Sequence, residues 1–583
     1  MPNIHGSCTV LVAARAGARP PLVSHSFDTS GGVDTRLVRV PPNPNPPNPR
    51  PVFCWDENAV PRFFGVGRGP IPAYAEWVGE QSAPPEPIGF IAQTEDPAGT
   101  LGYWEAASGI ANDAGVMMAE STCSAIFGAL PRGKDGGQAL LGYMELSRIA
   151  LERCTSAKAA VELMGALAVE HGFCGNTDEG MGTAESLTVV DSEEAWIMHI
   201  LADDSGASAI WAAQRVQDGH AAVVPNMFVI RKMKLDAADG ADSFMLSDSA
   251  RECAARHNLW KPGTPFDFAA IFSRGEARNK YYCGRRLWRA LSLFAPSLNL
   301  PAAYDDLLTD TPYPFSVVPD GPLDRHFLFR VMRDTYAATV YDLSAQPASG
   351  PFGLTDRYDD VAYTSSVTGG RGMFERPIGI YRMACTLAAP RSACLARVPR
   401  LPHCALPLAS SYPCACATDS YVGEPQDASG RPAAFHFAPH VSQTSVYLPV
   451  LCTMERCPSP LGRGTVRAID RAAAYWAFRI VKQTIRGLPW DRCLALIQAR
   501  QQQWEIKAGA ILEGGGGEGT SEAVHALAEA VVDDWWLMLD ELLLRFGDGW
   551  EYDWDEASGA ARHAPLKYPM GWLEHVGFFE EKD

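Results

Sequence analysis

The chain has 583 residues, 47% hydrophobic and 20% charged, an ordinary globular composition that excludes disorder as its main state. A formal net charge of -18 repels phosphate backbones at long range and argues against a nucleic-acid partner. No run approaches about 18 uninterrupted apolar residues, so neither a transmembrane helix nor a membrane partner is expected.

The N-terminus, MPNIHGSCTVLVAARAG, has no basic start and reads as a poor signal peptide. Its TVLVAA run reads instead as a buried strand. Short apolar runs at 22–25 and 37–40, separated by Gly/Pro turns, continue a strand meander. The proline-rich segment 41–51 cannot enter a central strand and reads as an exposed extended loop. Over 138–170 apolar residues recur three and four apart, which predicts two helices with Thr155 and Ser156 between them as cap candidates. Strands are expected at 187–190, 195–200 and 221–224. The later chain reads as helical over 466–488, 490–511 and 521–546, with Gly514 to Gly517 as a flexible linker. This order fits an α+β architecture. The 15 cysteines, an odd number spread from Cys8 to Cys493, suit a reducing compartment and point to the cytoplasm.

Cys8 differs from the others by position, because it follows only seven residues and opens an apolar strand. Cleavage of the Ser7–Cys8 bond would place a thiol and a free α-amine on one residue. The thiolate is the reactive form, and a free thiol titrates at about 8.5. An α-amine titrates at about 7.7–8.0 and can take the thiol proton near neutral pH. Both groups share one residue, so no entropy is spent in bringing them together. The same thiol could cut the chain by attacking the Ser7 carbonyl, giving a thioester that water opens. The competing reading is a strand cysteine buried for packing alone.

Several blocks in this sequence resemble the dipeptidase-A-like family of N-terminal-nucleophile cysteine peptidases, which includes the secernins. They are GSCTVLV from Gly6, GIANDAGVMMAESTCSAIFG from Gly109, LSRIALERCTSAKAAVELM, AESLTVVDSEEAW, WAAQRVQDG, VVPNMFVI, RRLWRALSLFAPSLN, YPFSV, GPFG, TSVYLPV and the closing KYPMGWLEHVGFF. The resemblance implies a four-layer αββα sandwich with the nucleophile at the start of a central strand, and hydrolysis of short peptides, usually dipeptides, without a metal or cofactor. Residues 1–7 would be a propeptide, 8–465 the hydrolase region, and 466–583 a helical region packed on the same unit.

By that resemblance Asn112 is an oxyanion donor, Asn226 holds the α-amine or the substrate carbonyl, and Asp28 orients the new amino terminus. Asn112 also suits a turn ahead of Gly115, and Asn226 a strand end after Pro225. The sequence Ser24-His25-Ser26-Phe27-Asp28 lacks the arginine many bacterial members carry there, so the cationic partner is unassigned and Arg36 is a weak substitute. His25 is a tempting base that the α-amine makes unnecessary. Glu120, in the block Glu120-Ser121-Thr122-Cys123, suits the ammonium of a dipeptide or packing beside the core. Arg215 suits a substrate carboxylate or a structural salt bridge. Cys394, Cys404, Cys414 and Cys416 lack paired zinc spacing, so no metal is expected. An amidase acting on other N-acyl substrates and a non-catalytic secernin-like scaffold stay open, as does self-association.

Overall fold

The computed structural model describes residues 7–17, 19–28, 36–53, 86–93, 99–106, 108–175, 182–233, 243–276, 280–303, 313–357, 374–381, 383–389, 433–464, 468–514, 519–555 and 558–578. The segment 390–416 and most of the glycine linker lie outside these residues.

The predicted first strand is β1 (Ser7–Ala13), and from Cys8 onward all its residues are buried. A strand covered on both faces reads as a continuous apolar run rather than an alternating one, which is what TVLVAA shows. It pairs antiparallel with β2 (Leu22–Asp28) on one side and with β12 (Ala221–Val224) on the other. Beyond β12 lies β16 (Ser316–Val317); beyond β2 lie β17 (Met383–Ala389), β18 (Ala434–Pro439) and β19 (Leu448–Leu451). Together they make one seven-stranded antiparallel sheet.

The meander expected from the opening runs stops after two strands. The third run forms β3 (Val38–Val40), which crosses to the edge of a second, eight-stranded sheet. That sheet continues through β6 (Tyr103–Glu105), β7 (Gly109–Asn112), β8 (Met117–Ser124), β9 (Thr183–Val190), β10 (Ala195–Ala202), β11 (Ala209–Arg215) and β14 (Phe244–Leu246). The end of the proline-rich segment is also not a plain exposed loop. Its Arg50–Val52 forms β4, paired with β5 (Gly89–Ile91) in a small ribbon where Pro51 costs no central ladder bond. Arg50 is buried there by ion pairs to Glu145 and Glu152. Two further ribbons join β13 (Lys232–Met233) to β15 (Phe266–Asp267) and β20 (Trp550–Trp554) to β21 (Ala561–Pro565).

The two large sheets meet where β1 and β2 pack on β8 and β9. Val10, Val12, Met117, Ala119 and Ile197 from both sheets share one apolar core. The predicted helical pair is α1 (Tyr143–Arg153) and α2 (Ala157–His171), with Ser156 capping α2 by accepting from the Ala159 amide at 3.3 Å. This pair packs on strands of the second sheet. Against strands of the first sheet lie α5 (Arg285–Phe294), α6 (Arg325–Met332), α7 (Ala474–Ile485), α8 (Trp490–Glu513) and α9 (Thr520–Phe546). Two short helices, α3 (Ser249–Arg256) and α4 (Phe268–Phe272), precede α5, and α10 (Met570–His575) follows α9. The chain is thus α+β, and among the described residues no helix is long and apolar enough to cross a membrane.

The contact between α2 and β11 supplies a test of this packing. Gly165 faces the Trp211 indole so closely that an added Cβ would overlap the ring. Alanine at this helical position gains about 1 kcal/mol of propensity. Overpacking against a ring held between elements costs about 1–3 kcal/mol. Gly165→Ala is therefore expected to lower the urea midpoint, whereas the same change at a solvent-facing helical glycine would raise it.

Candidate active site

Polar residues accumulate where β2 of the seven-stranded sheet faces β8 of the eight-stranded sheet, in strands whose burial would ordinarily demand apolar ones. Ser24, His25, Ser26 and Asp28 of β2 are buried, as are Glu120, Ser121 and Thr122 of β8. Such groups are costly inside unless partnered. Glu120, Ser121 and Thr122 meet Cys8 or Asn226, and Ser26 donates to Asp28, whereas Ser24 Oγ and His25 Nε2 have no hydrogen-bond partner among the described residues.

The Cys8 amide N–H donates to Asn226 Oδ1 at 2.9 Å, and the Cys8 thiol donates to Glu120 Oε1 at 2.9 Å. Asn226 lies just past β12 with a left-handed φ of 60°, a conformation that asparagine tolerates better than most residues. Its own amide N–H donates to Ser121 Oγ at 3.0 Å, and its side-chain nitrogen donates to the Thr122 carbonyl at 2.8 Å. Asn226 therefore ties the end of β12 to β8 of the facing sheet while holding the Cys8 nitrogen.

Arg286, fully buried at the start of α5, binds the same corner from the helix side. It donates to the Cys8 carbonyl at 2.6 Å, Thr9 Oγ1 at 2.9 Å, the Pro225 carbonyl at 3.0 Å and Asn226 Oδ1 at 2.9 Å. A π-helical turn, Lys280–Gly284, leads into α5, and its Tyr282 carbonyl accepts from Arg286 Nε at 2.8 Å. Such turns recur at functional sites. Burial, together with the charge of neighbouring Arg376, lowers the Arg286 pKa to about 10.

Asp28 stands opposite Ser7 in the β1–β2 register. Its carboxylate pairs with Arg376 and accepts from Ser26 Oγ at 3.2 Å. The sequence left the cation beside Asp28 unassigned, and in the structure Arg376 takes that place. Burial opposes the charge on Arg376, and Asp28 outweighs it, so the guanidinium pKa is raised. His25 brings Nε2 to 3.6 Å from Glu120 Oε1. Cys283 donates to the Asn226 carbonyl at 3.4 Å and is pushed up to about 12 by burial.

Two expected site residues stand apart from this cluster. Asn112 donates both amide hydrogens to backbone carbonyls, of Leu151 at 3.0 Å and Cys154 at 2.8 Å, while its oxygen accepts from the Val116 amide. With no donor left it cannot serve an oxyanion here; it anchors the turn containing Gly115, whose φ is 79°. Arg215 pairs with Glu194 at 3.5 Å and Asp218 at 2.9 Å at the end of β11, the structural alternative of the two readings. Cys123 is buried, donates to the Ser121 carbonyl, and has its pKa raised first by burial.

Residues 81–389, a little over half of the chain, match the sequence model of peptidase family C69. The chain belongs to that family. A relative from Latilactobacillus sakei named "Probable dipeptidase" is 24% identical over 194 residues, 33% of this chain and 36% of that relative. The likeness spans about a third of the relative's length. Glu120, Asn226, Arg286 and Arg376 fall within the family match, whereas Cys8 and Asp28 precede it. The hydrogen bonds above join the two parts.

Burial first, then the charges of Glu120 and Asp28, holds the Cys8 thiol well above the usual thiol range. In the uncleaved chain its alkylation by iodoacetamide is expected to stay slow at pH 8 and to accelerate only at higher pH. Removing one adjacent negative charge lowers the thiol pKa, so Glu120→Gln should move that rise to lower pH. Peptide mass spectrometry of Cys8 across a pH series measures the shift.

Proposed function

We propose that the chain is a self-processing cysteine dipeptidase acting through a thioester on Cys8. The observation that carries this reading is the separate anchoring of the Cys8 nitrogen on Asn226 and its sulfur on Glu120. The two sheets with helices on their outer faces are read as the four-layer αββα sandwich of N-terminal-nucleophile hydrolases. Residues 1–7 are its propeptide, 8–465 the hydrolase region and 466–583 a helical region on the same unit. In support of that last division, residues of β1 and of α9 share one apolar core.

In the uncleaved chain the Cys8 nitrogen is an amide and cannot serve as a base. The acceptor in hydrogen-bond contact with the Cys8 thiol is Glu120 Oε1 at 2.9 Å. Glu120 takes that proton as the sulfur attacks the Ser7 carbonyl, so two adjacent negative charges never form together. The tetrahedral adduct collapses by breaking the bond to the Cys8 nitrogen, which gains the proton from Glu120 and becomes the α-amine. Water then hydrolyses the Ser7 thioester and releases residues 1–7.

In the processed chain the α-amine replaces Glu120 as base, kept in place by Asn226 Oδ1. Asp28, opposite the departed Ser7, lies beside the new terminus and is steadied by Arg376. The sulfur attacks the dipeptide carbonyl; the C-terminal amino acid leaves with the thiol proton, and water opens the acyl-enzyme. A dipeptide carries its ammonium two bonds from the scissile carbonyl carbon. Glu120, beside the sulfur, is suited to hold that ammonium, which favours a dipeptide over an N-acyl amide.

Intact mass and N-terminal sequencing test this reading, with wild-type chain expected to begin at Cys8. Cys8→Ala should remain uncut and hydrolyse no dipeptide; wild-type rates in that variant would sink the proposal. Dipeptides and N-acyl amides assayed side by side separate a dipeptidase from an amidase. Glu120→Gln should slow self-cleavage by roughly 10²–10⁴-fold, the usual contribution of a positioned proton acceptor. Because the same variant should alkylate faster, slow cleavage cannot be blamed on a less reactive sulfur. Unchanged cleavage would remove Glu120 from the proton path.

A further inference from the structure

Cys8 Sγ, a ring nitrogen of His25 and a Glu120 carboxylate oxygen lie within 4.8 Å of one another, all on buried residues. Glu120 Oε1 is 2.9 Å from Sγ and 3.6 Å from Nε2. Two atoms of this ring, His25 Nε2 and Glu120 Oε2, are buried with no hydrogen-bond partner among the described residues. An unsatisfied buried polar atom costs about 1–3 kcal/mol, so the corner is set up to receive something.

A thiol, an imidazole nitrogen and a carboxylate form a donor set that favours zinc-like ions over magnesium or calcium. Zinc bonds of about 2.3 Å to sulfur and 2.0–2.2 Å to nitrogen and oxygen put tetrahedral ligand atoms roughly 3.3–3.6 Å apart. Small side-chain rotations reach that spacing from the distances present. Three protein ligands would leave a fourth position for water.

We propose that Cys8, His25 and Glu120 bind a zinc-class divalent cation that reversibly locks the nucleophile. The ion forms a bond to sulfur and the thiol proton leaves to solvent; nothing is oxidised or reduced. The double charge offsets both the new thiolate and Glu120. The locking rests on the function proposed above, whereas the coordination does not depend on any substrate.

A second group, Asp204, Cys253 and His257, also has its donor atoms within 4.8 Å. Arg256 already engages both Asp204 oxygens at 2.8–3.1 Å, and His257 sits at 2.7 Å, so its lone pairs are spent. It serves as the control.

The test is titration of the purified full chain with Co²⁺, followed by displacement with Zn²⁺ monitored by absorption and calorimetry. The expected result is a near-ultraviolet thiolate-to-cobalt band with tetrahedral visible bands, absent from Cys8→Ala and retained in Cys253→Ser. His25→Gln and Glu120→Gln should weaken Zn²⁺ by at least about 10–100-fold, the loss that even an outer-sphere partner causes. Cys8→Ala changes one buried atom and keeps the test valid should His25→Gln fold poorly. No cobalt band in the wild-type chain, a band surviving Cys8→Ala, or one lost in Cys253→Ser would overturn the proposal. A chain that gives the Cys8-dependent band but cleaves no dipeptide upholds the cation site and removes the dipeptidase reading; the reverse result does the opposite.

Discussion

The guanidinium of Arg286 is the point on which the Cys8 corner hangs. Four of its hydrogen bonds leave its own helix and close the gap between the start of β1 and the end of β12. Taking a charge out of water costs several kcal/mol unless its donors are satisfied. Here the cost is offset because the guanidinium meets two backbone carbonyls, a hydroxyl and an amide oxygen, with the Tyr282 carbonyl as a fifth acceptor. A lysine could not reproduce this fan of planar donors. Even lowered to about 10, the Arg286 pKa keeps the group charged at neutral pH, so the corner holds its shape across the physiological range.

Around the sulfur the charges nearly balance: Glu120 and Asp28 against Arg286 and Arg376. They are not arranged symmetrically. Asp28 is engaged by Arg376, and the Arg286 bonds point at backbone and amide oxygens. The group in hydrogen-bond contact with the thiol is a carboxylate. This arrangement keeps the sulfur protonated in the uncleaved chain, which is the opposite of the electropositive setting that activates many thiols. In the function proposed above, Glu120 takes the thiol proton before cleavage and the freed α-amine takes it afterwards, so the sulfur needs no electropositive activation beforehand.

How much of this was legible in the sequence depended on how local each signal was. The run TVLVAA announced β1 because a strand buried on both faces needs no alternation. The pattern over 490–511 announced α8 for the equally local reason of helical spacing. Cys8, Asp28, Glu120 and Asn226 were singled out, and the structure brings them to one corner. Arg376 was invisible because its neighbour Asp28 is 348 residues away, and only the insertion of β17 beside β2 joins them. Arg286 had a faint signal. It lies four residues from Tyr282 and four from Ala290, on a stripe that also holds Phe294, and all four are buried. An arginine on an apolar stripe is a candidate for a buried role, but RRLWR offers three arginines, and periodicity alone did not single one out. Asn112 and Arg215 failed for a different reason. Their residue types suit catalysis, yet both carry hydrogen-bonding demands that nearby backbone and acids satisfy first.

The anchors of Cys8 belong to different parts of the fold. Its nitrogen is held by Asn226, at the end of the strand beside it in the same sheet, whereas its sulfur is held by Glu120 of the facing sheet. Ladder hydrogen bonds fix the first relation. The second depends on the packing of Val10 and Val12 against Met117, Ala119 and Ile197 between the sheets. A shift of one sheet over the other would change the distance from sulfur to carboxylate while leaving the nitrogen in place. Close packing resists such a shift, because voids of even one methylene are felt in an interior at crystal density. The protonation of the sulfur is therefore set by the apolar core between the sheets, and the position of the nitrogen by the backbone ladder. That division places the nitrogen and the sulfur of one residue under separate control.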